Sequence, residues 1–304
     1  MEKTKRKLFD KRKFKSWLAG FLCASPVLIG VAVFNYYTAV QSLVYSFYEY
    51  DGFRTMEFIG FDNFVMMFKY DPETTTVFAN TFIYAFVSVP LNLLLGYMLA
   101  VAANSKIKGI SVFRVLFYLP VIIPGVASGV LFGDMFSAGA DGIFNRLLTA
   151  VGLPRQPFFS SSSTSMATMI LMGLWGLGGS MIIWLAAFKN IDVTLYEGAK
   201  LDGANAFQRL IHVTVPLSTS VIFYNLVTGV IGSLQTTSTL FVGGKDGTGI
   251  SNSLYFVAIK IYRSFMGGQY GYASAYAWVL FAVIAVLTAV IFKSSKWVHY
   301  GEDS

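Results

Sequence analysis

One segment of this apolar chain, residues 191–217, concentrates the side chains that could form ion pairs or exchange protons. Long apolar runs lie on both sides of it. Its charged and titratable residues are Asp192, Glu197, Lys200, Asp202, Arg209 and His212. A connection between two membrane helices needs far fewer residues, so the length and charge of this segment indicate a surface that another protein binds.

Other patterns that could support catalysis lack the required spacing. The glycine-rich run Gly243–Gly249 lacks the Gly-x4-Gly-Lys-Ser/Thr order in which backbone N–H groups and a lysine hold phosphates. His212 and His299 have no cysteine or carboxylate at metal-ligand spacing. No serine, histidine and acid form the pattern of a nucleophilic triad. We therefore expect neither enzymatic activity, nor a metal site, nor a cofactor.

The composition is that of a membrane protein. Hydrophobic residues make up 55% of the 304 residues, and charged residues make up only 13%. Soluble domains carry about 25% charged residues. The single cysteine, Cys23, excludes a disulfide within the chain, and its position in an apolar run predicts a small buried side chain.

Six segments are apolar over the roughly 20 residues that a helix needs to cross the hydrocarbon layer. The first is too long for a signal peptide, so we expect it to be retained as a membrane helix. The predicted spans are Trp17–Tyr37 (continuing toward Phe47), Phe78–Ala103, Ile110–Phe136, Ser165–Phe188, Leu217–Val242 and Tyr272–Phe292. The predicted fold is therefore all-α, a polytopic bundle of six transmembrane helices with a cytoplasmic helix pair.

Lysine and arginine predict the orientation of this bundle. With six spans, 16 of these residues fall on the side of both termini and 7 fall on the other side. The positive-inside rule then places both termini and the segment 191–217 in the cytoplasm. The many positive charges of the first fifteen residues precede an apolar span, a position that suits anionic lipid rather than nucleic acid.

These boundaries divide the chain into four predicted parts. Residues 1–16 form a basic cytoplasmic tail, and residues 17–77 form the first membrane helix with an external loop. Residues 78–293 form a core of five membrane helices that includes the segment 191–217. Residues 294–304 form a second cytoplasmic tail.

Within the segment 191–217, the pattern predicts two short helices that meet at Gly203, a residue suited to ending a helix. The second helix carries Phe207, Leu210, Ile211 and Val215 on roughly one face. An exposed apolar face of this kind is typical of a partner site. The alternative is a helix pair that lies flat on the membrane and buries this face among lipid headgroups.

The segment resembles the coupling loop of bacterial ABC-importer permeases, whose pattern is Glu-Ala-Ala, three residues, Gly, nine residues, Ile-x-Leu-Pro. Glu197, Ala199, Gly203, Val213 and Pro216 fall at these spacings. Gly198 replaces the second alanine, and valine replaces isoleucine and leucine at the end of the motif. The Asp-Gly-Ala variant around Gly203 is similar to the carbohydrate-uptake, maltose-type branch of the binding-protein-dependent family.

This resemblance implies a mechanical role. The loop would dock on a separate ATPase dimer, whose closure on ATP would move the helices from an inward-facing to an outward-facing arrangement. Glu197 would contact the ATPase, Gly198 and Ala199 would permit close approach, and Gly203 would make the bend. The implied coupling residues are Glu197, Gly198, Ala199, Asp202, Gly203 and Pro216.

The resemblance also implies the surroundings of the chain. Its partners would be a second, homologous permease, the ATPase dimer, an extracellular solute-binding protein, a sugar and membrane lipid, with no nucleic acid. The location would be the plasma (inner) membrane of a bacterium. The cargo would be a sugar or oligosaccharide, and the alternative is a polyol, a glycerol phosphate or an acidic glycan.

A second polar pattern lies on the predicted fifth span, where Asn225, Gly229, Gly232, Ser233 and Thr236 share one helical face. The predicted fourth span carries Gly173, Gly176 and Ser180 on one face, with Trp175 and Gly179 beside it. Polar groups in a membrane tend to face an interior or a water-filled path. Close helix packing at the glycines is the alternative. The family places its sugar contacts near these positions of the fourth and fifth spans. The resemblance therefore implies a substrate path along Trp175, Gly176, Gly179, Gly229, Ser233 and Thr236. Asn225, on the same polar face of the fifth span, is added to it. Trp184, Tyr224 and Gln235 are further candidates, for which packing is the alternative.

Two other classes of membrane protein fit the sequence poorly. A secondary transporter or channel normally carries charges at membrane depth or inverted repeats. A membrane-embedded enzyme needs a cluster of His, Asp or Glu at that depth. Ionisable residues are nearly absent from the centres of the predicted spans, and neither inverted repeats nor such a cluster is evident.

Overall fold

The computed structural model describes residues 11–53, 56–105 and 107–299. The outer parts of both predicted tails, together with Arg54 and Lys106, lie outside the described residues. Helices dominate, and the strands found in the described ranges are Tyr48–Glu49 and Glu57–Phe58, which pair antiparallel. The prediction of an all-α membrane bundle is confirmed, because four helices are long and apolar enough to cross a membrane, or up to six if two bent pairs are counted.

Four candidate spans are continuous helices; three extend a few residues beyond their predicted bounds, and the first follows the predicted continuation toward Phe47. The second span begins at Glu73 rather than at Phe78, and the first continues to Tyr45 through a π-helical stretch, Ala32–Tyr37. The first, second, fourth and sixth candidate spans are Ser16–Tyr45, Glu73–Ala103, Ser162–Lys189 and Tyr270–Lys293.

The predicted third span, Ile110–Phe136, is wrong as a single helix. It consists of Ile110–Ile122 and Gly125–Met135, which meet at an angle of 102°. The break has a local cause, because the residue before a proline is driven out of the helical region. Ile123, which precedes Pro124, accordingly has an extended backbone with ψ of 127°.

The predicted fifth span, Leu217–Val242, is also corrected. Its helix runs only from Thr219 to Leu234, and it is bent by 67° from the preceding helix Ala206–Leu217. A polar run of glutamine, threonine and serine follows Leu234, and such hydroxyl side chains compete with helical hydrogen bonds. The chain then forms a separate turn of helix, Thr239–Val242.

The remaining helices are short and lie between the spans, except for Ser295–Trp297, which follows the sixth span. One pair, Val193–Leu201 and Ala206–Leu217, occupies the polar segment and is referred to below as the polar helix pair. An amphipathic helix, Val257–Met266, precedes the sixth span. The others are Asp62–Val65, Met66–Tyr70, Ile143–Ala150, Phe158–Ser160, Ile250–Asn252 and Ser295–Trp297.

The second span is the centre of the bundle, where it packs against the fourth and fifth spans and against the helix Val257–Met266. Its buried side chains contribute to two clusters. One contains Tyr84 with Phe256 and Tyr276, and the other contains Ala100 with Trp184.

The first span is not part of this core. None of the residues in its most apolar stretch is buried, and Cys23 is exposed. The prediction of a buried Cys23 is therefore wrong, because an apolar run does not by itself show that a helix packs inside its own chain.

Candidate functional site

The polar helix pair is shaped by hydrogen bonds between near neighbours. Asp192 caps the first helix, and its Oδ1 accepts a hydrogen bond of 2.9 Å from the backbone N–H of Thr194. This bond lowers the pKa of the Asp192 carboxyl. The lowered pKa of Asp192 therefore follows from its role as a helix cap and requires no partner protein.

The bend between the two helices has two local causes. Gly203 adopts a φ of +80°, and the N–H of Ala204 donates to the carbonyl of Ala199 at 2.9 Å, which ends the first helix. Asn205 and Gln208 then form a capping box, with bonds of 2.9 and 2.8 Å between each side chain and the other residue's N–H. The predicted pair of helices meeting at Gly203 is present.

The outer surface of the pair is apolar and open. Leu201 is 90% exposed and Phe207 is 67% exposed. A Cβ atom placed on Gly198 or Gly203 would meet no atom within 4 Å. Nothing described in this chain explains the absence of a side chain at Gly198, so the open space is available to a partner.

The predicted coupling residues do not all share this surface. Residues Glu197, Gly198, Asp202 and Gly203 are exposed on the pair, and Ala199 is half-buried beside them. Pro216 lies at the other end, half-buried, just before the bend that leads into the fifth span.

Sequence reasoning missed the polar contacts at the base of the pair. The hydroxyl of Tyr196 lies 3.0 Å from that of Thr214, and the hydroxyl of Tyr97 lies 3.1 Å from that of Ser218 at the bend. The first contact joins the two helices, and the second joins the bend to the second span. Isolated hydroxyl residues in helices carry no sequence signal for such partners.

A second candidate site is a cavity of about 350 Å³ between the second, fourth and fifth spans. Five of the predicted path residues line it, namely Gly176, Asn225, Gly229, Ser233 and Thr236. Four other lining residues were noted in the sequence: Gly173 and Ser180 on the face of the fourth span, Gly232 on the face of the fifth span, and Trp184 as a further candidate. Sequence reasoning missed the remaining lining residues, which are Tyr84, Ser88, Val89, Asn92, Leu93 and Thr228.

Hydrogen-bonding groups in the cavity are partly committed to their own helices. The amide Nδ2 of Asn92 donates to the carbonyl of Ser88 at 2.8 Å, and that of Asn225 donates to Val221 at 2.9 Å. Within the described ranges, the Oδ1 atoms of both amides accept no hydrogen bond, so they are available to hydroxyl donors of a ligand. The lining contains no charged side chain.

Trp175 and Gly179 were predicted for the substrate path, but they lie outside this cavity. The Trp175 ring packs edge-on against Phe132, with ring centroids 5.3 Å apart, and Gly179 faces Val121. The fourth span presents Gly173, Gly176 and Ser180 to the cavity, three residues that share one helical face. Trp175 and Gly179 lie beside that face, so the positions carried over from the family fall outside the lining.

Close helix packing, the alternative explanation for the glycines, applies at Gly178 but not at Gly176 or Gly232. A Cβ on Gly178 would overlap the carbonyl oxygen of Phe117, so this glycine permits close approach of two spans. A Cβ on Gly176 or Gly232 would meet nothing within 4 Å. These two glycines therefore open space at the cavity instead of filling an interface.

The three further candidates differ from one another. Trp184 lines the cavity and is 1% exposed, and its indole Nε1 has no hydrogen-bond partner in the described part of the chain. Tyr224 is 54% exposed and points away from the lining set, and Gln235 is exposed just beyond the end of the fifth span.

Comparison with known proteins places the chain in a family. Residues 92–300 match the family described as "Binding-protein-dependent transport system inner membrane component". The Probable ABC transporter permease protein YesP of Bacillus subtilis (strain 168) is 39% identical over 290 residues, which cover 94% of this chain and 93% of that protein. The Lactose transport system permease protein LacF of Rhizobium radiobacter is 31% identical, with 91% and 94% covered.

The fold also matches a solved structure. A chain of the bacterial alginate ABC transporter, crystallised in complex with an alginate pentasaccharide-bound periplasmic protein, superposes with a TM-score of 0.81. The match covers 96% of this chain and 98% of that chain, at 22% sequence identity. The family resemblance carried by the polar segment is thereby confirmed. This chain belongs to the inner-membrane components of binding-protein-dependent transport systems, the non-catalytic permease subunits that work with a second permease and a separate ATPase.

Proposed function

We propose that this chain is the permease subunit of an ATP-driven importer for a sugar or oligosaccharide. A second permease completes the path, a separate ATPase supplies the energy, and an extracellular solute-binding protein delivers the cargo. The proposal is supported by the relative named for lactose transport and by the structural neighbour crystallised with alginate.

The observation that carries the proposal is the direct continuity between the polar helix pair and one wall of the cavity. The helix Ala206–Leu217 leads through a 67° bend into the fifth span, which contributes Asn225, Gly229, Ser233 and Thr236 to the lining. A displacement of the pair by an ATPase is therefore transmitted to cavity side chains through the continuous backbone. This arrangement suits alternating access.

The exposed surface of the pair is the ATPase contact in this proposal. Glu197 and Asp202 supply charge at the rim, Leu201 and Phe207 supply apolar anchors, and Gly198 leaves room for close approach. Gly203 sets the angle between the helices, Ala199 packs at their junction, and Pro216 stands before the bend. Lipid headgroups are the alternative occupant of this surface.

The cavity is the cargo path in this proposal. Amide and hydroxyl oxygens of the lining accept hydrogen bonds from sugar hydroxyls. The absence of charge among its described lining residues favours an uncharged saccharide over a glycerol phosphate or an acidic glycan.

The orientation and the division of the chain are part of the same proposal. Both termini and the polar helix pair lie in the cytoplasm. Residues 17–77 form the first membrane helix with its external loop, and residues 78–293 form the permease core. The excess of lysine and arginine on that side supports this orientation.

Reconstitution of the complete complex in proteoliposomes tests the function. We expect ATP-dependent uptake of an uncharged oligosaccharide that requires the solute-binding protein, and slower uptake of a uronic-acid oligosaccharide of equal length. Deletion of residues 197–207 is expected to abolish co-purification of the ATPase. Retention of the ATPase by the deletion variant, or uptake without ATP, would contradict the proposal.

A further inference from the structure

A buried charge cluster lies at the start of the second span. The Nζ of Lys260 is 2.7 Å from Asp71 Oδ2 and 2.6 Å from Glu73 Oε2. The side chains of Lys260 and Asp71 are each only 10% exposed. Charges taken out of water to this extent are tolerated only when they are paired and hydrogen-bonded.

Further polar groups complete the pairing. Tyr272 and Tyr276 donate their hydroxyl hydrogens to Asp71 Oδ2 at 2.7 and 3.1 Å, and the N–H of Glu73 donates to Asp71 Oδ1 at 2.8 Å. Burial alone would raise the pKa of Asp71, but the hydrogen bonds from Lys260 and Tyr272 outweigh it and lower that pKa. Burial would likewise lower the pKa of Lys260, and the two carboxylates raise it instead.

The cluster joins three elements that are distant in the chain. Asp71 and Glu73 stand at the beginning of the second span, Lys260 lies on the helix Val257–Met266, and the two tyrosines lie in the first turns of the sixth span. The second span has 31 residues and is about 45 Å long. Its other end carries Tyr97, which contacts the bend after the polar helix pair. The cluster and the polar helix pair are therefore at opposite ends of the bundle.

The segment before Lys260 is attached to the same face of the second span. Asn80 Nδ2 donates to the carbonyls of Asn252 and Tyr255 at 2.8 and 3.2 Å. The N–H of Val257 donates to Thr81 Oγ1 at 3.0 Å. Residues 252–257 are thereby held against the span between the cluster and the cavity.

This segment packs against the cavity lining at the end nearest the cluster. Phe256 is completely buried, and its ring packs on Tyr84 with centroids 5.4 Å apart. Tyr84 is itself a lining residue, and the lining residues Ser88 and Asn92 follow on the next turns of the second span. Tyr84 is the lining residue of the second span nearest the cluster, so the Tyr84–Phe256 contact stands between the cluster and the cavity.

We propose that the cluster of Asp71, Lys260 and Glu73 is a latch, which holds residues 252–257 over the cavity and closes the path at the end opposite the polar helix pair. The latch rests on the proposed function, because alternating access requires this end to be closed while the other is open. Ionic groups suit a reversible closure, since they regain hydration when they separate into a water-filled path.

Cysteine labelling in proteoliposomes tests the latch. Ser88→Cys is introduced into a Cys23→Ser background, which removes the single native cysteine, and the complete transporter is exposed to a membrane-impermeant maleimide on the side opposite the ATPase. In the resting complex we expect slow labelling. Lys260→Met is expected to raise the labelling rate roughly tenfold, because a minor open state of a few per cent becomes dominant.

The control is Lys69→Met, which makes the same change at an exposed lysine near the cluster that packs on Tyr70 instead. Lys69→Met is expected to label at the original rate, and Lys260→Arg is expected to restore slow labelling. Asp71→Asn retains an oxygen acceptor for Tyr272, so we expect a smaller increase in the labelling rate. If the Lys260→Met complex does not assemble, the labelling rate of Asp71→Asn tests the latch instead.

Equal labelling rates in the Lys260→Met or Asp71→Asn complex and in the Lys69→Met complex would overturn the latch. Sugar uptake by the unmutated complex is measured in parallel. Uptake with unchanged labelling rejects the latch and leaves the proposed function standing. Faster labelling without any sugar uptake in the unmutated complex supports the latch and rejects the sugar as cargo.

Discussion

The polar helix pair and the polar cavity are built in opposite ways. In the pair, the caps and the bend come from residues within a few positions of one another, as in the Asn205–Gln208 capping box. In the cavity, the lining comes from three spans, and Asn92 and Asn225 belong to different helices. A site made of neighbours in the chain is robust to errors in helix packing, whereas a site made of distant helices depends on every crossing and kink between them.

The largest effect expected from this contrast is at Gly203. Gly203→Val places a branched side chain at a φ of +80°, which strains the backbone by about 1–3 kcal/mol. We expect membrane insertion to persist and ATP-driven uptake in proteoliposomes to fall roughly 10- to 100-fold. Gly152→Val is the matched control, because Gly152 has a φ of +79° and open space around it but lies outside the pair. Normal uptake by Gly203→Val would remove the bend from the mechanism.

A change in the cavity should affect the cargo and leave the ATPase contact intact. Asn225→Leu removes an amide oxygen that lies free in the lining, and the loss of one hydrogen bond predicts roughly tenfold weaker apparent affinity for the sugar. Co-purification of the ATPase is expected to be unchanged. Tyr224→Phe, at the exposed neighbouring position, serves as the control. Loss of the ATPase in Asn225→Leu would show that the two sites are not separable.

Substitution of the two tryptophans of the fourth span tests where the cavity ends. Trp184 lines the cavity, whereas Trp175 packs on Phe132 outside it. Trp184→Phe removes an unpaired indole N–H, and we expect the concentration of sugar at half-maximal uptake to change about threefold. Trp175→Phe is expected to leave that concentration unchanged. The reverse result would return Trp175 to the path.

The smallest effect concerns the caps of the pair. Asn205→Ala removes the side chain that accepts from the N–H of Gln208, which costs about 1 kcal/mol of helix stability. Amide hydrogen exchange is expected to accelerate in the helix Ala206–Leu217, with uptake reduced by less than about twofold. Gln208→Ala breaks only the reciprocal bond and should accelerate exchange less. Identical exchange in all three proteins would mean that packing, and not the capping box, holds this helix.

Some errors of the sequence prediction had a signal that was available. The Ile123–Pro124 step interrupts the third span, and a residue before proline is disfavoured in a helix. Ser88 and Asn92 are four residues apart on the second span, and this spacing places them on one helical face. The same argument that was applied to the polar face of the fifth span would have predicted that Ser88 and Asn92 line the cavity.

Other features had no signal in the order of residues. The partners in the latch, Lys260 and Glu73, are 187 residues apart in the chain, and each charge on its own is typical of a solvated loop. The contact of Trp175 with Phe132 joins two different spans, and the residue order of the fourth span does not specify it. The exposure of the first span depends on where that helix lies relative to the others, which an apolar composition does not specify.

The amino-acid order was sufficient for the membrane class, the helix pair bent at Gly203 and the family to which the chain belongs, because hydrophobic length, glycine conformation and capping act over a few neighbouring residues. The tertiary structure alone decided which faces of the second, fourth and fifth spans meet, which of the predicted residues reach the cavity, and that Lys260 lies between Asp71 and Glu73. Those arrangements depend on kinks and helix crossings, whose energies come from contacts between residues far apart in the chain.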